Sequence, residues 1–342
     1  MTRLVDLRSD TVTQPTPAMR EAMASAKVGD VGYDEDPSVN ELEQRFAAMV
    51  AKPKAIFVPS GVMANQIAVR VLTRPGDVII AGRDQHVVSF EMGASARNSA
   101  VQFALVDDRA GVLRTSDVTD IIDAEQDHQP HVAMVAIENT HMVSGGIPWE
   151  LEDVRSLRRS LTGLALYLDG ARLFNAVVAT GTTAAEYCDS ATMVMACLSK
   201  GLCAPVGSML AGPEDLMAAA LIERKRLGGT MRQAGFLAAA GLVALETMVE
   251  RLGEDHARAR AMAEMVAVAF PESGYDPTSC RTNIVAFEHP QARKVVSDLA
   301  EKGVLAGTVA PRRVRLVTHA GVSDDDVTFV ADVLKDFGVS SA

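Results

Sequence analysis

Two short stretches, about thirty residues apart, decide the fold: Leu166-Tyr167-Leu168-Asp169-Gly170-Ala171-Arg172 and Leu198-Ser199-Lys200-Gly201. Each stretch marks the end of an apolar run typical of a strand, with an acid after the first run and a lysine after the second. In open α/β sheets, binding sites form beyond the carboxyl ends of the strands. We therefore expect Asp169 and Lys200 to lie at one edge of a mostly parallel sheet.

An aspartate and a lysine in this order suit pyridoxal-phosphate (PLP) chemistry. The lysine can form a Schiff base with the cofactor aldehyde, and the acid can keep the pyridine nitrogen protonated so that the ring accepts electrons. Each residue alone has a more ordinary interpretation. A strand-terminal Asp is commonly a turn or helix cap, and a strand-terminal Lys is commonly a solvated surface residue. The pair favours PLP over these alternatives without excluding them.

Outward from this pair, short apolar or β-branched runs alternate with segments of helical periodicity. This alternation predicts an α/β domain with helices on both faces of the sheet. The predicted strands are 55–59, 78–81, 101–106, 132–137, 164–168, 193–198 and 207–211, and the predicted helices are 61–72, 117–123 and 151–161.

The pattern changes after Leu245. We predict a connecting helix over 246–270, followed by a compact α+β module with strands at 283–287, 304–307 and 313–317 and helices at 292–302 and from Ser323. These elements divide the chain into a large PLP-binding domain, 1–245, and a small C-terminal domain, 246–342, which includes the connecting helix.

Composition narrows the class of protein. The chain has 342 residues and a formal net charge of −11, which argues against nucleic acid as a partner. Its most apolar stretch, 236–245, is too short to span a membrane, and no signal peptide is recognisable. The four cysteines form no CxxC pair, and neither HExxH nor another metal-ligand spacing occurs. We expect a cytoplasmic enzyme without a metal or a membrane partner.

The stretch Pro59-Ser60-Gly61-Val62-Met63-Ala64-Asn65 reads as a strand, a glycine turn and a helix start. Backbone N–H groups at a helix N-terminus can bind a phosphate. The alternative is a plain helix cap at Ser60. The spacing is not that of a nucleoside-triphosphate loop.

Eight segments in order resemble the low-specificity L-threonine aldolases of the β-eliminating lyase group, and together they cover nearly the whole chain. They are Asp6-Leu7-Arg8-Ser9-Asp10-Thr11-Val12-Thr13, Glu35-Asp36-Pro37, Glu138-Asn139-Thr140-His141, Asp169-Gly170-Ala171-Arg172-Leu173-Phe174-Asn175, Leu198-Ser199-Lys200-Gly201-Leu202, Ala204-Pro205-Val206-Gly207-Ser208, Met231-Arg232-Gln233 and Arg315-Leu316-Val317-Thr318-His319.

The resemblance implies a PLP-dependent transferase-like fold of the aspartate-aminotransferase type and a homodimer or homotetramer with shared sites. It also implies cleavage of L-threonine, L-allo-threonine or a related β-hydroxy-α-amino acid to glycine and an aldehyde. The cofactor-binding residues that it implies are Lys200 for the Schiff base, Asp169 for the pyridine nitrogen, Arg172 for the ring 3-oxygen, His86 for the ring face, Gly61 and Val62 for the phosphate, and Arg232 for the phosphate of the neighbouring subunit.

For the substrate, the resemblance implies that Ser9 and Arg315 hold the carboxylate, that Tyr33 comes from the partner subunit, and that His141 contacts the substrate. His141 and His86 are the candidates for the base that removes the β-hydroxyl proton. We favour His141, or a water that it orients, and give His86 the stacking role. Glu91 could point into the site, although an exposed helical position is the more ordinary interpretation.

Other functions stay open on this scaffold. They include another PLP lyase or racemase, such as a phenylserine or β-hydroxyaspartate aldolase or a β-eliminating enzyme, and a PLP-binding protein without catalysis. Many family members carry Thr where Val62 stands and Asn where Met142 stands, which leaves the preferred substrate size open. A nicotinamide-dependent enzyme is disfavoured because no G-x-G-x-x-G segment occurs.

Overall fold

The computed structural model describes residues 3–339, and within them it contains three sheets. The strands are β1 (Val5–Asp6), β2 (Lys54–Val58), β3 (Val78–Gly82), β4 (Gln102–Val106), β5 (Val132–Glu138), β6 (Ala165–Gly170), β7 (Met193–Cys197), β8 (Ser208–Gly212), β9 (Ile284–Glu288), β10 (Val304–Leu305), β11 (Gly307–Ala310) and β12 (Arg313–Val317).

Helices flank these strands. They are α1 (Pro17–Ala24), α2 (Pro37–Met49), α3 (Gly61–Leu72), α4 (His86–Ser89), α5 (Ala94–Ser99), α6 (Thr115–Asp123), α7 (Leu151–Ser160), α8 (Leu173–Thr180), α9 (Ala184–Asp189), α10 (Glu214–Arg226), α11 (Gly235–Thr247), α12 (Leu252–Ala269), α13 (Ala292–Glu301) and α14 (Asp324–Val339). Short 3-10 turns occur at Asp10–Val12, Val31–Tyr33, Pro271–Ser273 and Pro277–Ser279.

The central sheet has seven strands in the order β2-β8-β7-β6-β5-β3-β4. The five strands from β7 to β4 pair in parallel, and β8 runs antiparallel to both of its neighbours, β7 and β2. All five residues of β7, Met-Val-Met-Ala-Cys, are buried, as expected for a strand covered on both faces. The predicted α/β fold, with its mostly parallel sheet, is confirmed.

The C-terminal part forms a separate, smaller core. Its antiparallel sheet has the order β11-β12-β9 and packs with α12, α13 and α14. The N-terminal strand β1 pairs in parallel with β10, and Val5 and Leu7 are buried in this same core. The first residues of the chain therefore pack with the last third of it. The division at 245/246 stays a prediction.

Two predicted elements are divided in the structure. The expected helix over 246–270 is two helices, because α11 ends at Thr247 and α12 begins at Leu252. The expected strand 304–307 is two short strands, and β10 pairs with β1 whereas β11 pairs with β12. In both cases the apolar pattern continues across the break, so periodicity alone does not reveal it.

Among the helices of residues 3–339, none combines the length and the apolar composition that crossing a bilayer requires. The four cysteines are free thiols, and all four are buried.

Candidate active site

The carboxyl ends of the parallel strands carry the site. Asp169 lies near the end of β6 and Lys200 follows β7. The N-terminus of α3, His86 and Ala171 line the same cavity as these two residues. The structure thus brings together five predicted positions, Lys200, Asp169, His86, Gly61 and Val62, at one edge of the sheet, as the strand-end argument required.

The Asp169 carboxylate is buried and fixed by hydrogen bonds. Its Oδ2 accepts a hydrogen bond from Asn65 Nδ2 at 2.8 Å, and its Oδ1 accepts one from the backbone N–H of Ala171 at 3.0 Å. Tyr167 donates its hydroxyl proton to Asn65 Oδ1 at 2.6 Å, which orients the amide so that its Nδ2 faces the carboxylates of Asp169 and Glu91. These hydrogen bonds fix the carboxylate at the cavity, where it could accept a hydrogen bond from a protonated pyridine nitrogen.

The start of α3 offers backbone donors for a phosphate. The Ser60 side chain accepts a hydrogen bond from the Met63 N–H at 3.2 Å, so the expected helix cap is present. Gly61 and Val62 lie in the first turn, where N–H groups have no intrahelical acceptor. A Cβ on Gly61 would lie 2.9 Å from Cys197 Sγ, so the close approach of the helix to β7 requires glycine. The helix cap at Ser60 and the unpaired backbone donors of the first turn therefore occur together.

His86 contacts a buried acid. Its Nδ1 lies 3.0 Å from Glu91 Oε1, and its side chain is 31% exposed while that of Glu91 is 0% exposed. The interpretation of Glu91 as an exposed helical residue is therefore wrong. Glu91 lies in the loop between α4 and α5, where it faces inward and accepts hydrogen bonds from Asn65 and Gln66.

His141 is fully buried, with both ring nitrogens engaged. Nε2 lies 3.0 Å from Asp108 Oδ2, and Nδ1 accepts a 3.3 Å hydrogen bond from the Ser144 N–H. Burial lowers the pKa of His141, but the hydrogen bond to Asp108 and the nearby Glu138 outweigh it and hold the pKa above the usual value. In this arrangement the ring of His141 has no free nitrogen to accept a substrate proton.

Arg172 forms a buried ion pair. Its Nε and Nη2 donate to the two carboxylate oxygens of Asp10 at 2.8 and 2.7 Å, in the bidentate geometry that arginine favours. Asn283 Nδ2 also donates to Asp10, at 3.3 Å. Although burial opposes ionisation, Arg172 and Lys200 keep the Asp10 pKa well below its usual range. The predicted contact of Arg172 with a ring oxygen stays a prediction.

Arg315 is a half-buried cation that has no carboxylate within ion-pairing distance among residues 3–339. Its Nη2 donates to the Arg8 carbonyl at 2.7 Å, and its Nη1 lies 3.1 Å from Met142 Sδ. Its Nε is buried and has no hydrogen-bond partner in the described part of the chain. Burial, with Arg172 nearby, lowers the Arg315 pKa to about 10, which leaves the guanidinium charged. Ser9 accepts hydrogen bonds from the N–H and the hydroxyl of Thr11.

Tyr33 and Arg232 lie on the surface rather than in the cavity. Tyr33 is 76% exposed. The Arg232 side chain is 73% exposed, and its Nη1 lies 3.3 Å from Asp30 Oδ2. Asp30 also caps the 3-10 turn that contains Tyr33, so the two predicted partner-facing residues share one patch.

No function was assigned from the sequence to several polar residues that the structure places in or next to the site. Asn65 could have been found, because it lies one helical turn after Gly61 and therefore on the same face of α3. Asp10 lies inside a quoted motif, yet its partner Arg172 is 162 positions away. Asp108 lies in the loop after β4, and its carboxylate contacts His141, which lies in the loop after β5. Sequence spacing carries no signal for the last two pairs.

The residues present fit PLP. A lysine, a buried acid, an imidazole and a helix N-terminus surround one cavity, and each matches one part of the cofactor. One nitrogen or oxygen atom from each of His86, Glu91 and Asp169 lies within 4.8 Å of the others, which is also a spacing suited to a metal. The Asn65 amide already donates to both carboxylates, which explains the cluster without an ion. Fold and site together define a PLP-dependent enzyme of the aspartate-aminotransferase fold.

Comparison with known proteins agrees with this class. Residues 6–288 match the family model for β-eliminating lyases. The low specificity L-threonine aldolase of Escherichia coli K12 is 41% identical over 336 residues, covering 96% of this chain and 97% of that one. The chain belongs to the β-eliminating lyase family and to its low-specificity L-threonine aldolase group.

Two solved structures share the fold. The threonine aldolase of Leishmania major has a TM-score of 0.81 at 22% identity, with 97% of this chain and 99% of that chain covered. A serine palmitoyltransferase from S. paucimobilis with bound PLP has a TM-score of 0.76 at 15% identity, with coverages of 98% and 88%. At these identities the likeness concerns the fold alone.

Proposed function

We propose that the protein is a PLP-dependent aldehyde-lyase that cleaves L-threonine, L-allo-threonine or a related β-hydroxy-α-amino acid to glycine and an aldehyde. The observation that carries the proposal is the cavity at the carboxyl edge of the sheet, which Lys200, Asp169, His86 and the N-terminus of α3 line together. The 41% identity to a named L-threonine aldolase over nearly both chains supports the same reaction.

When bound, PLP supplies an electron sink for the bond that breaks between Cα and Cβ. Lys200 would bind it covalently, and Asp169 would hold its pyridine nitrogen protonated. The amides of Gly61 and Val62 would bind its phosphate. Arg172, held in place by Asp10, would lie near its ring oxygen.

For the substrate, Arg315 is the group best suited to the α-carboxylate. It is half-buried, charged and without an acidic partner among the described residues, so a bound carboxylate would supply the missing counter-charge. Its planar fork also matches a carboxylate. Ser9 lies one residue beyond Arg8, whose carbonyl accepts from Arg315 Nη2, and it would add a hydroxyl to the same subsite.

The base that takes the β-hydroxyl proton is His86 in this proposal. His86 lines the cavity, and its Nε2 has no hydrogen-bond partner among residues 3–339. His141, favoured from the sequence, is buried with both nitrogens engaged, so direct proton transfer would require the ring to leave Asp108. We assign His141 to shaping the substrate side of the site.

The proposal includes a cytoplasmic homodimer or homotetramer in which Tyr33 and Arg232 complete the site of the neighbouring subunit. Support comes from their shared exposed patch and from their absence from the residues that line the cavity. Four buried free thiols are compatible with a reducing compartment.

The first test is an absorbance spectrum of the purified protein before and after addition of L-threonine or L-phenylserine, with an aldehyde assay on the same sample. We expect a visible cofactor band and release of aldehyde and glycine. The ratio of the two rates assigns the substrate size. A visible band with ammonia and a keto acid instead would indicate β-elimination. A band without any product would indicate racemisation or cofactor storage, and no band after addition of PLP would contradict the proposal.

A further inference from the structure

Glu91 is an unusually buried acid next to the site. Its Oε1 accepts a hydrogen bond from Asn65 Nδ2 at 2.6 Å and its Oε2 accepts one from Gln66 Nε2 at 2.7 Å, while His86 Nδ1 lies 3.0 Å from Oε1. Both carboxylate oxygens accept an amide N–H, so the group acts as a hydrogen-bond acceptor toward its neighbours. The loop between α4 and α5 thus places a negative charge behind the imidazole.

This contact selects one form of His86. An ionised carboxylate only accepts hydrogen bonds, so the nitrogen facing it, Nδ1, must carry the proton. In the neutral ring, Nε2 then has the lone pair. Nε2 has no partner among the residues that the structure describes, and the ring lines the cavity. The backbone N–H of His86 donates to Glu138 Oε2 at 2.7 Å, which fixes the start of α4 as well.

Asn65 links this carboxylate to that of Asp169. Its Nδ2 donates to both Glu91 Oε1 and Asp169 Oδ2, and its Oδ1 accepts from Tyr167. Rotation of the Glu91 side chain would break its contacts with Asn65, Gln66 and His86. Glu91 is therefore held in the orientation that faces His86.

We propose that Glu91 is a positioning residue that fixes His86 as the Nδ1–H tautomer, so that Nε2 can accept the β-hydroxyl proton of the substrate. The inference deepens the proposed function and rests on it for the proton that is transferred. The tautomer itself follows from the contacts of Glu91 and does not depend on which reaction the site performs.

Four charged groups face His86: Glu91 from the loop after α4, Glu138 from β5, Asp169 from β6 and Lys200 from the loop after β7. Burial lowers the pKa of His86, and Lys200 acts in the same direction, but the hydrogen bond to Glu91 and the charge of Asp169 outweigh them. The pKa is therefore above its usual value. Removal of the Glu91 charge is expected to lower it.

The first experiment measures the tautomer directly in the full-length protein, by nitrogen NMR of histidine-labelled samples with His86 assigned by substitution. We expect the Nδ1–H form at pH values where the ring is neutral. The Nε2–H form would overturn the inference. This measurement needs no variant of Glu91 and no turnover, so it stands even if Glu91→Gln does not fold.

The second experiment compares Glu91→Gln with the unmodified protein. The Gln amide carries no charge, and it has one accepting oxygen whereas the carboxylate has two. We expect kcat to fall about tenfold, which is less than the roughly 10²- to 10⁴-fold loss expected on removal of the base itself. Because the base acts in its neutral form, the acid limb of the pH profile should move to lower pH together with the pKa of His86. Glu91→Asp, which keeps the charge, should restore part of kcat and the position of the limb.

A matched control is available at the surface. His131 Nδ1 lies 3.1 Å from Glu125 Oε1 in an exposed pair with nearly the same geometry. Glu125→Gln should change the NMR signals of His131 and leave kcat, the pH profile and the His86 signals unchanged. Equal effects of both substitutions on kcat would show that the Glu91 effect is not specific and would overturn the inference.

A double substitution separates positioning from general damage. His86→Phe keeps a ring but removes both nitrogens, so adding Glu91→Gln should lower kcat by no more than about twofold further, because coupled residues are not additive. Multiplicative losses would overturn the inference. Failure of the proposed function is distinguishable, because the unmodified protein would then release no aldehyde although the His86 tautomer is as expected.

Discussion

At the scale of single residues, Asp169 and Arg172 have fixed hydrogen-bond partners, whereas Arg315 has no acidic partner in the described chain. Asp169 has Asn65 and Ala171 as donors, and Arg172 has Asp10. Arg315 alone among these groups is half-buried without an acidic partner in the described chain. A buried cation without a partner is costly to maintain, so such a group points to a ligand that supplies the opposite charge.

Arg315→Gln is expected to raise the KM for L-threonine about 10- to 100-fold, because the carboxylate loses a charge-assisted bidentate partner. Arg315→Lys, which keeps the charge but not the fork, should give an intermediate value. Steady-state kinetics with an aldehyde assay measures both. Arg312→Gln, three residues earlier on an exposed turn, removes the same charge and should leave KM unchanged. An unaltered KM in Arg315→Gln would remove this residue from the substrate site.

At the scale of elements, the site depends on how closely strand ends approach one another. Gly82 ends β3, and Asp108 follows β4, the next strand in the sheet. A Cβ built on Gly82 would overlap the Asp108 carboxylate, which also accepts the backbone N–H of Asp84. Glycine at the end of β3 thus makes room for the acid that holds His141.

Gly82→Ala should therefore destabilise the protein by about 1–3 kcal/mol, the usual cost of an overpacked buried site. Thermal melting at a fixed protein concentration measures the effect as a lower Tm. Gly253→Ala, at the start of α12, is the matched control. The Cβ added there would make only an ordinary 3.8 Å contact with Val178. A Tm for Gly82→Ala equal to that of this control would argue against the close packing of β3 and Asp108.

At the scale of the whole molecule, two groups of predicted site residues are separated. The cavity contains Lys200 and Asp169, whereas Tyr33 and Arg232 lie together on an exposed patch that is not part of it. If this patch completes the site of a neighbouring subunit, the two groups must act between chains rather than within one.

A hybrid dimer tests this arrangement. One chain carries Lys200→Ala and the other Arg232→Ala, and the hybrid is isolated by two different tags. One of its two sites then combines an intact Lys200 with an intact Arg232 from the other chain, so activity should recover to about half of the unmodified value.

The control hybrid pairs an unmodified chain with a chain that carries both substitutions. Neither of its sites has both intact residues if Arg232 acts on the neighbour, so it should stay nearly inactive. The reverse pattern, an inactive first hybrid and an active control, would place Arg232 in the site of its own chain.

The amino-acid sequence by itself determined the fold class, the strand ends that carry Asp169 and Lys200, and the helix start at Gly61. These features are local: apolar runs and turn residues report the period of an element and the place where it ends. It did not predict the break between α11 and α12 or the division of 304–307 between two sheets, because the apolar pattern continues through both.

Only the tertiary structure decided which polar groups meet. Glu91 was expected to be exposed and is buried against His86, and Asp108 engages His141 from another strand. Asp10 reaches Arg172 across 162 positions of sequence. Burial and hydrogen bonding between distant segments depend on how the strands and helices pack, and this packing leaves no periodic mark in the sequence. For that reason the strand ends that carry Asp169 and Lys200 could be predicted from the sequence, whereas the partners that orient the histidines and arginines of the site could not.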